Sequence, residues 1–85
     1  MKIVDIQPTP NPNAMKLLLD APASVGTKSY FNAEMAKDDP LTAKLFAIEG
    51  VIGVMLLGTM ATISKHRDAE WGTVLTGVKK VFAAA

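Results

Sequence analysis

The sequence has 85 residues, 49% of them hydrophobic, and nine basic against eight acidic residues give it a formal net charge of +1. This length predicts one small domain covering residues 1–85, and the balanced charge argues against strong binding to nucleic acid, which usually needs clustered basic residues. The absence of cysteine excludes disulfide bonds and thiolate metal ligands within the sequence, and no apolar run approaches the about 20 residues of a membrane-spanning helix.

The first predicted element is a β-hairpin near the N-terminus. Residues 2–7 and residues 15–20 alternate as strands do, with Val4 and Ile6 on one face of the first strand. In the second strand, the inward-facing residues are Met15, Leu17 and Leu19. Before this hairpin there is no room for the roughly 7–15-residue apolar stretch of a signal peptide. Together with the absence of cysteine, this predicts a cytoplasmic location.

The middle of the chain predicts an edge strand and a helix. Residues 27–32 contain two aromatic residues and favour a short strand at the edge of a sheet. Asp39 is a suitable N-cap and Pro40 suits the first helical position, so a helix is expected to begin there. Gly50 is expected to end it, because glycine tolerates the left-handed conformation past a helix end. Its inward face carries Leu41, Leu45 and Ile48.

The C-terminal half predicts a second hairpin and a second helix. Residues 51–57 are predicted as a strand buried on both faces, and residues 61–65 alternate apolar and polar positions, with the turn at Gly58 and Thr59. Asp68 is the predicted N-cap of the helix. The apolar residues of this helix recur at spacings of three and four: Trp71, Val74, Leu75, Val78, Val81 and Phe82.

Together these elements predict an α+β fold in the order ββαββα. The sheet is antiparallel and has about four strands, with residues 27–32 as a candidate short fifth strand at its edge. Two helices are expected to pack on one face of the sheet. Residues 83–85 are expected to fray at the end of the second helix.

The connection between the first two strands is the most unusual segment of the sequence. It runs Pro-Thr-Pro-Asn-Pro-Asn from Pro8 to Asn13, and its three prolines predict an extended, stiff loop. Two interpretations stay open. Asn11 and Asn13 hydrogen-bond back to the nearby backbone, or the rigid loop presents them to a binding partner at a low entropic cost.

Side chains near the end of the second hairpin give two further candidate sites. Lys65, His66 and Arg67 are a basic cluster, which indicates either a solvated strand end or, with Lys16, a small anion- or phosphopeptide-binding surface. Ser64 and His66 share a predicted face, as a hydrolase would need, but no acidic residue is clearly placed to orient the histidine. One histidine and no cysteine are too few ligands for structural zinc or an iron–sulfur cluster.

Three blocks of sequence carry a resemblance to a known family. Residues 7–17, a strand followed by Pro-Thr-Pro-Asn-Pro-Asn and a lysine-containing strand, resemble the opening of the N-terminal domain of Nfu/NifU-type iron–sulfur cluster scaffold proteins. Two further blocks resemble that family's helix-to-strand segment and its last hairpin with the start of the final helix. They comprise Pro40, Leu41, Leu45, Phe46, Gly50, Val51 and Val54, and then Gly58, Ile63, Lys65 and Trp71. The resemblance covers nearly the whole chain.

The resemblance implies a stand-alone domain without the C-terminal domain in which multidomain relatives hold the cluster by a Cys-x-x-Cys motif. It implies a non-enzymatic protein-interaction module that binds no cofactor itself and meets iron–sulfur clusters only through assembly or carrier proteins. Nucleic acid and membranes are not expected partners, and the oligomeric state stays open. No catalytic or metal-binding residue is predicted. The predicted binding residues are Thr9, Pro10, Asn11, Pro12, Asn13, Met15, Lys16, Lys65, Arg67 and Trp71.

Overall fold

The computed structural model describes residues 1–84 and contains a five-stranded antiparallel sheet. The strands are β1 (Ile3–Pro8), β2 (Ala14–Leu19), β3 (Thr27–Tyr30), β4 (Val51–Leu57) and β5 (Met60–Lys65), and the helices are α1 (Ala33–Ala36), α2 (Pro40–Phe46) and α3 (Trp71–Ala84). The spatial strand order is β1-β2-β5-β4-β3. The predicted α+β fold is confirmed, and the candidate fifth strand is present as the edge strand β3.

The one-turn helix α1 is absent from the predicted elements. The side chain of Asn32 caps it by accepting a hydrogen bond from the backbone N–H of Met35 at 2.9 Å. At the other end of the chain, α3 includes residues 83 and 84 of the segment expected to fray, and Ala85 lies outside the described residues. Within residues 1–84, no helix combines the length and the apolar character needed to cross a bilayer.

The helices α2 and α3 cover one face of the sheet, called here the inner face. Leu45 of α2 and Val74, Val78 and Phe82 of α3 pack against alternate strand residues, all of them buried. The strand residues of this core are Leu17, Leu19, Val51, Val54, Leu56, Ala61 and Ile63. The opposite face of the sheet, called here the open face, is not covered by α2 or α3, so apolar residues that point to it, such as Met55 and Leu57, stay accessible to solvent.

The strand β4 has the predicted bounds but not the predicted burial on both faces. Ile52, Met55 and Leu57 are exposed by 50%, 40% and 44% of their surface, whereas Val54 and Leu56 are almost fully buried. The prediction of double burial is wrong because a continuous apolar run in the sequence does not reveal that helices cover only one face.

The strand β1 departs from the simple alternation that the sequence predicts. Its register with β2 shifts between Ile3 and Asp5, as in a β-bulge. Ile3 and Ile6 both pack against the core, while Val4 between them is 63% exposed. The predicted pairing of Val4 with Ile6 on one face is therefore wrong, because the extra residue of a bulge reverses the alternation from that point on.

Capping residues in the sequence predict the start of α2 correctly but the start of α3 wrongly. Asp39 caps α2 as predicted, accepting a hydrogen bond from the backbone N–H of Thr42 at 3.2 Å. Gly50, at a φ of +96°, lies three residues beyond the C-cap of α2 and leads directly into β4. Asp68 does not cap α3, which begins at Trp71; the backbone N–H of Asp68 instead donates to Nδ1 of His66 at 3.1 Å.

Candidate functional site

The loop between β1 and β2, residues 9–13 and called here the Pro/Asn loop, is held by its own hydrogen bonds. The hydroxyl of Thr9 lies within hydrogen-bonding distance of the carbonyl oxygens of Asn11 (2.8 Å) and Ala14 (3.0 Å), and it accepts from the backbone N–H of Asn11. The backbone N–H of Asn13 donates to Oδ1 of Asn11 at 2.9 Å. The side-chain oxygen of Asn11 therefore shapes the loop, as local backbone bonding by asparagine predicts.

Two residues distant in sequence anchor the Pro/Asn loop to the body of the domain. The ammonium of Lys65 donates to Oδ1 of Asn13 at 3.1 Å, and the two backbones are joined by a further bond of 2.8 Å from the N–H of Lys65 to the carbonyl of Asn13. The indole N–H of Trp71 donates to the carbonyl of Pro12 at 2.9 Å. Lys65 is 94% buried and its ammonium lies 5.6 Å from the centre of the Trp71 ring, a cation–π contact.

A cleft of about 650 Å³ lies on the open face, directly beside the Pro/Asn loop. Asn11 and Asn13 border it on the loop side, and Phe31, just past β3, borders it on the other side. Gly53 is part of its floor. Its remaining lining includes Ile52 and Met55 of β4, Ser64 of β5, and His66 and Arg67 just beyond β5. The cleft therefore joins a rigid loop, exposed apolar side chains and a basic rim.

The structure brings together only part of the predicted binding set. Lys65 and Trp71 do meet the Pro/Asn loop, but they hold it from the inner face, where the Lys65 ammonium is buried and already bonded. Arg67 is exposed on the rim of the cleft. Lys16 is half-buried and lies opposite Gln7 and Thr62 in the sheet, outside the cleft lining. Met15 pairs with Ile63 and Pro8.

The arrangement of Ser64 and His66 lacks the contact that a nucleophile and base need. Both residues line the cleft, but in the described part of the chain no hydrogen bond joins them. Nδ1 of His66 accepts from the backbone N–H of Asp68, whose carboxylate oxygen lies 3.6 Å away. An acidic residue therefore does stand beside the histidine, a neighbour that the sequence reasoning did not recognise.

The shifted pKa values belong to a pair at the start of α2. Burial raises the pKa of Tyr30, and the hydrogen bond that its hydroxyl donates to Asp39 at 3.0 Å acts in the same direction. Burial alone would raise the pKa of Asp39, but hydrogen bonds from Thr42 and Tyr30 and the nearby charge of Lys28 outweigh it, so that pKa lies below its ordinary value. The pair fastens β3 to α2.

Sequence reasoning missed the residues that make the floor and the apolar walls of the cleft. The sequence predicts burial on both faces for the run that contains Ile52, Gly53 and Met55, and it places Phe31 only in an edge strand. The glycine inside an otherwise apolar strand was the one available signal, because such a residue often marks a bulge or a close approach. Among residues 1–84, no group of three or more histidine, aspartate or glutamate side chains is arranged to hold a metal ion.

Comparison with known proteins gives a consistent result. The family described as Scaffold protein Nfu/NifU N terminal matches residues 3–85. YpgR of Bacillus subtilis (strain 168) is 32% identical over 83 residues, which are 96% of this chain and 22% of YpgR. The NFU1 iron-sulfur cluster scaffold homolog, mitochondrial, of Drosophila erecta is 37% identical over 73 residues, which are 84% of this chain and 26% of that protein. The chain thus spans about a quarter of the length of these relatives.

Solved structures agree with the fold. The crystal structure of protein SAV1430 from Staphylococcus aureus has a TM-score of 0.82 at 31% identity, covering 96% of this chain and 99% of that one. The solution structure of a NifU-like protein from Saccharomyces cerevisiae has a TM-score of 0.77 at 20% identity, covering 99% and 79%. The second likeness concerns the fold alone.

Proposed function

The chain belongs to the family of Nfu/NifU scaffold N-terminal domains, and on that premise we propose that it is a non-enzymatic protein-interaction module in iron–sulfur cluster assembly or delivery. The relatives named as iron–sulfur cluster scaffolds support the process, and the arrangement of the Pro/Asn loop supports the mode of action. The cytoplasmic location expected from the sequence stays a prediction.

The observation that carries this proposal is an exposed loop that is held in place by hydrogen bonds. Pro10, Asn11 and Pro12 are exposed, while the loop that bears them is fixed by internal hydrogen bonds and by Lys65 and Trp71. A loop that is ordered before binding loses little conformational entropy when a partner docks. Rigid presentation therefore suits a recognition surface.

Any iron–sulfur cluster would be cargo on the partner in this proposal. The 85 residues contain no cysteine, and thiolates are the ordinary ligands of such clusters. The chain would then act by touching a protein that assembles or carries the cluster, and its own residues would contribute contact surface without ligating iron.

Titration of the ¹⁵N-labelled chain with purified iron–sulfur assembly and carrier proteins of its source organism tests the proposal. We expect amide shifts at Thr9, Asn11 and Asn13 and a shift of the Trp71 indole signal, while Lys79 on the exposed side of α3 stays unchanged. Loop signals that do not move at high concentrations of every such protein would contradict the proposal.

The geometry gives less support to the alternative of an anion- or phosphopeptide-binding surface formed by Lys16, Lys65 and Arg67. The Lys65 ammonium is buried and bonded to Asn13, so it is not available to an external phosphate. The alternative predicts that inorganic phosphate or a phosphopeptide alone shifts the signals of Lys16 and Arg67, whereas docking of a protein on the Pro/Asn loop needs no phosphate. Titration of the labelled chain with inorganic phosphate and with a phosphopeptide separates the two.

A further inference from the structure

We propose that the cleft beside the Pro/Asn loop receives a segment of the partner protein in which an apolar side chain, seated over Gly53, is flanked by carboxylates that face Arg67. The proposal rests on the function proposed above and adds the chemistry of the partner. The occupant is a polypeptide because the cleft is continuous with a loop suited to protein recognition.

The first argument is steric and concerns Gly53. This residue lies in β4, between β5 and β3, and points to the open face opposite Ser64. A Cβ atom at this position would lie 3.4 Å from the Cβ of Ser64 and 3.7 Å from the carbonyl oxygen of Tyr30, which are ordinary van der Waals contacts. The fold therefore has room for a side chain that the sequence does not supply, and the missing side chain leaves a hollow in the floor of the cleft.

The second argument concerns the apolar walls around that hollow. Phe31 is 72% exposed, Ile52 is 50% exposed and Met55 is 40% exposed, and all three line the cleft. Exposed apolar side chains gathered around one concavity are typical of binding sites, whereas isolated ones are normal on any surface. Burying an apolar side chain of a partner here removes water from both surfaces, which favours binding.

The third argument is charge complementarity. The acidic and basic residues among those that line the cleft are Lys65, His66 and Arg67, and no aspartate or glutamate is among the described lining residues. Lys65 is bonded to Asn13, and His66 lies beside Asp68. Within residues 1–84, the exposed guanidinium of Arg67 has neither an ion pair nor a hydrogen bond. A guanidinium in this state is suited to bind a carboxylate in a bidentate manner.

The neighbouring surface sets the direction of such a segment. Glu49, Asp68 and Glu70 line a separate groove on the other side of Ile52 and His66. This acidic groove repels carboxylates, so an acidic segment is directed toward Arg67 and the Pro/Asn loop. Like charges brought together at an interface are a common means of excluding wrong binding modes.

Selection of random peptides displayed on phage against the immobilised chain tests the proposal. We expect the enriched peptides to place an apolar residue next to aspartate or glutamate. When these peptides are synthesised, the variants Arg67→Glu and Gly53→Leu are each expected to weaken their binding about tenfold or more, measured by fluorescence anisotropy.

Matched control variants keep the test specific. Lys79→Glu makes the same charge change on the exposed surface of α3, and Gly72→Leu makes the same size change where nothing lies within 4 Å of the added Cβ, so both should bind like the parent chain. Gly53→Ala, which the fold accommodates, should weaken binding less than Gly53→Leu and retains the test if the leucine variant unfolds. Amide spectra of every variant establish that it is folded.

Three results would overturn the proposal: no enrichment, enrichment of peptides without acidic residues, or affinity that is unchanged in both Arg67→Glu and folded Gly53 variants. The same variants distinguish failure of the cleft proposal from failure of the proposed function. If an iron–sulfur protein shifts the loop signals equally in the parent and in both cleft variants, the function stands and the cleft proposal fails. If acidic peptides need the cleft but no iron–sulfur protein binds, the cleft proposal stands and the function fails.

Discussion

The two faces of the sheet contain similar apolar residues, but those on the inner face are buried and those on the open face are partly exposed. Leu56 and Leu57 are neighbours in β4, yet Leu56 is completely buried against the helices and Leu57 is 44% exposed on the open face. The inner face therefore supplies stability, whereas the open face leaves apolar side chains accessible to solvent. The difference arises from which face α2 and α3 cover, and hydrophobicity alone does not decide it.

The inner face also determines the shape of the Pro/Asn loop. Lys65 and Trp71 reach the Pro/Asn loop from that side, so loop order depends on the packing that holds the core together. On the open face, Phe31, Ile52 and Met55 line the cleft with exposed side chains that do not belong to the core. Mutations on the two sides should thus separate stability from binding.

The largest expected difference in the free energy of unfolding is between alanine substitutions at the adjacent residues Leu56 and Leu57. Leu56→Ala removes a fully buried side chain and leaves a cavity, so it should lower the free energy of unfolding by about 2–5 kcal/mol, whereas Leu57→Ala should cost less than about 1 kcal/mol. Urea denaturation monitored by Trp71 fluorescence measures both. Equal losses would break the distinction between the two faces.

The next largest difference in the free energy of unfolding is between alanine substitutions at Gly50, just before β4, and Gly53, within β4. Gly50 has a φ of +96°, and a Cβ there would lie 2.6 Å from the Cβ of Ala69. Gly50→Ala should therefore lower the free energy of unfolding by about 2 kcal/mol or more, because a strained backbone is combined with a steric clash. Gly53→Ala on the open face introduces neither backbone strain nor a steric clash, so it should change the free energy of unfolding by less than about 1 kcal/mol in either direction. Thermal denaturation of both variants provides the comparison.

A smaller effect is expected where the inner face anchors the loop. Trp71→Phe removes the indole N–H that bonds the carbonyl of Pro12, which should cost about 1 kcal/mol of the free energy of unfolding and speed hydrogen exchange at Asn11 and Asn13. Tyr30→Phe is the matched control, because it removes the hydroxyl bond to Asp39 without touching the loop. Loop exchange that rises equally in both variants would argue against a local anchor.

The smallest effect concerns pH and the cap of the helix that covers the inner face. Because the folded-state pKa of Asp39 lies below its ordinary value of 3.8, its carboxylate contributes stability that is present above that value and is lost as pH falls through the folded pKa. Asp39→Asn should therefore flatten the dependence of unfolding free energy on pH in this acidic range. Urea denaturation of the parent chain and of this variant at a series of acidic pH values measures the difference, and identical pH profiles would contradict a contribution of this carboxylate to stability.

The sequence predicted those features that depend on neighbouring residues. Asp39 and Pro40 define the start of α2 through capping chemistry that acts within one turn, and the bounds of β4 follow from an uninterrupted apolar run. The same local reasoning failed at Asp68, where an equally plausible cap bonds to His66 instead. A capping residue indicates a helix start only when no nearby side chain offers its backbone another partner.

The candidate site was predictable in part. The composition of the Pro/Asn loop marked it as unusual, and the resemblance to the Nfu/NifU family that it carried is confirmed. The loop is a hydrogen-bonded turn, in which the N–H of Ala14 donates to the carbonyl of Asn11, instead of the extended segment that its prolines predict. The cleft was not predictable, because its residues come from four segments that are separate in the sequence, around Asn11, Phe31, Gly53 and Arg67. Nothing in the local sequence of these segments indicates that they meet.

By itself, the sequence determined the α+β class, the main strands and helices and the family. Only the tertiary structure decided which side of β4 stays open, where β1 bulges at Val4, and that Lys65 is a buried anchor of the loop instead of a free surface charge. The physical reason is the separation along the chain between the residues that interact. Caps, turns and periodicity act over a few residues, whereas the contacts of Pro12 with Trp71 and of Asn13 with Lys65 join residues 59 and 52 positions apart.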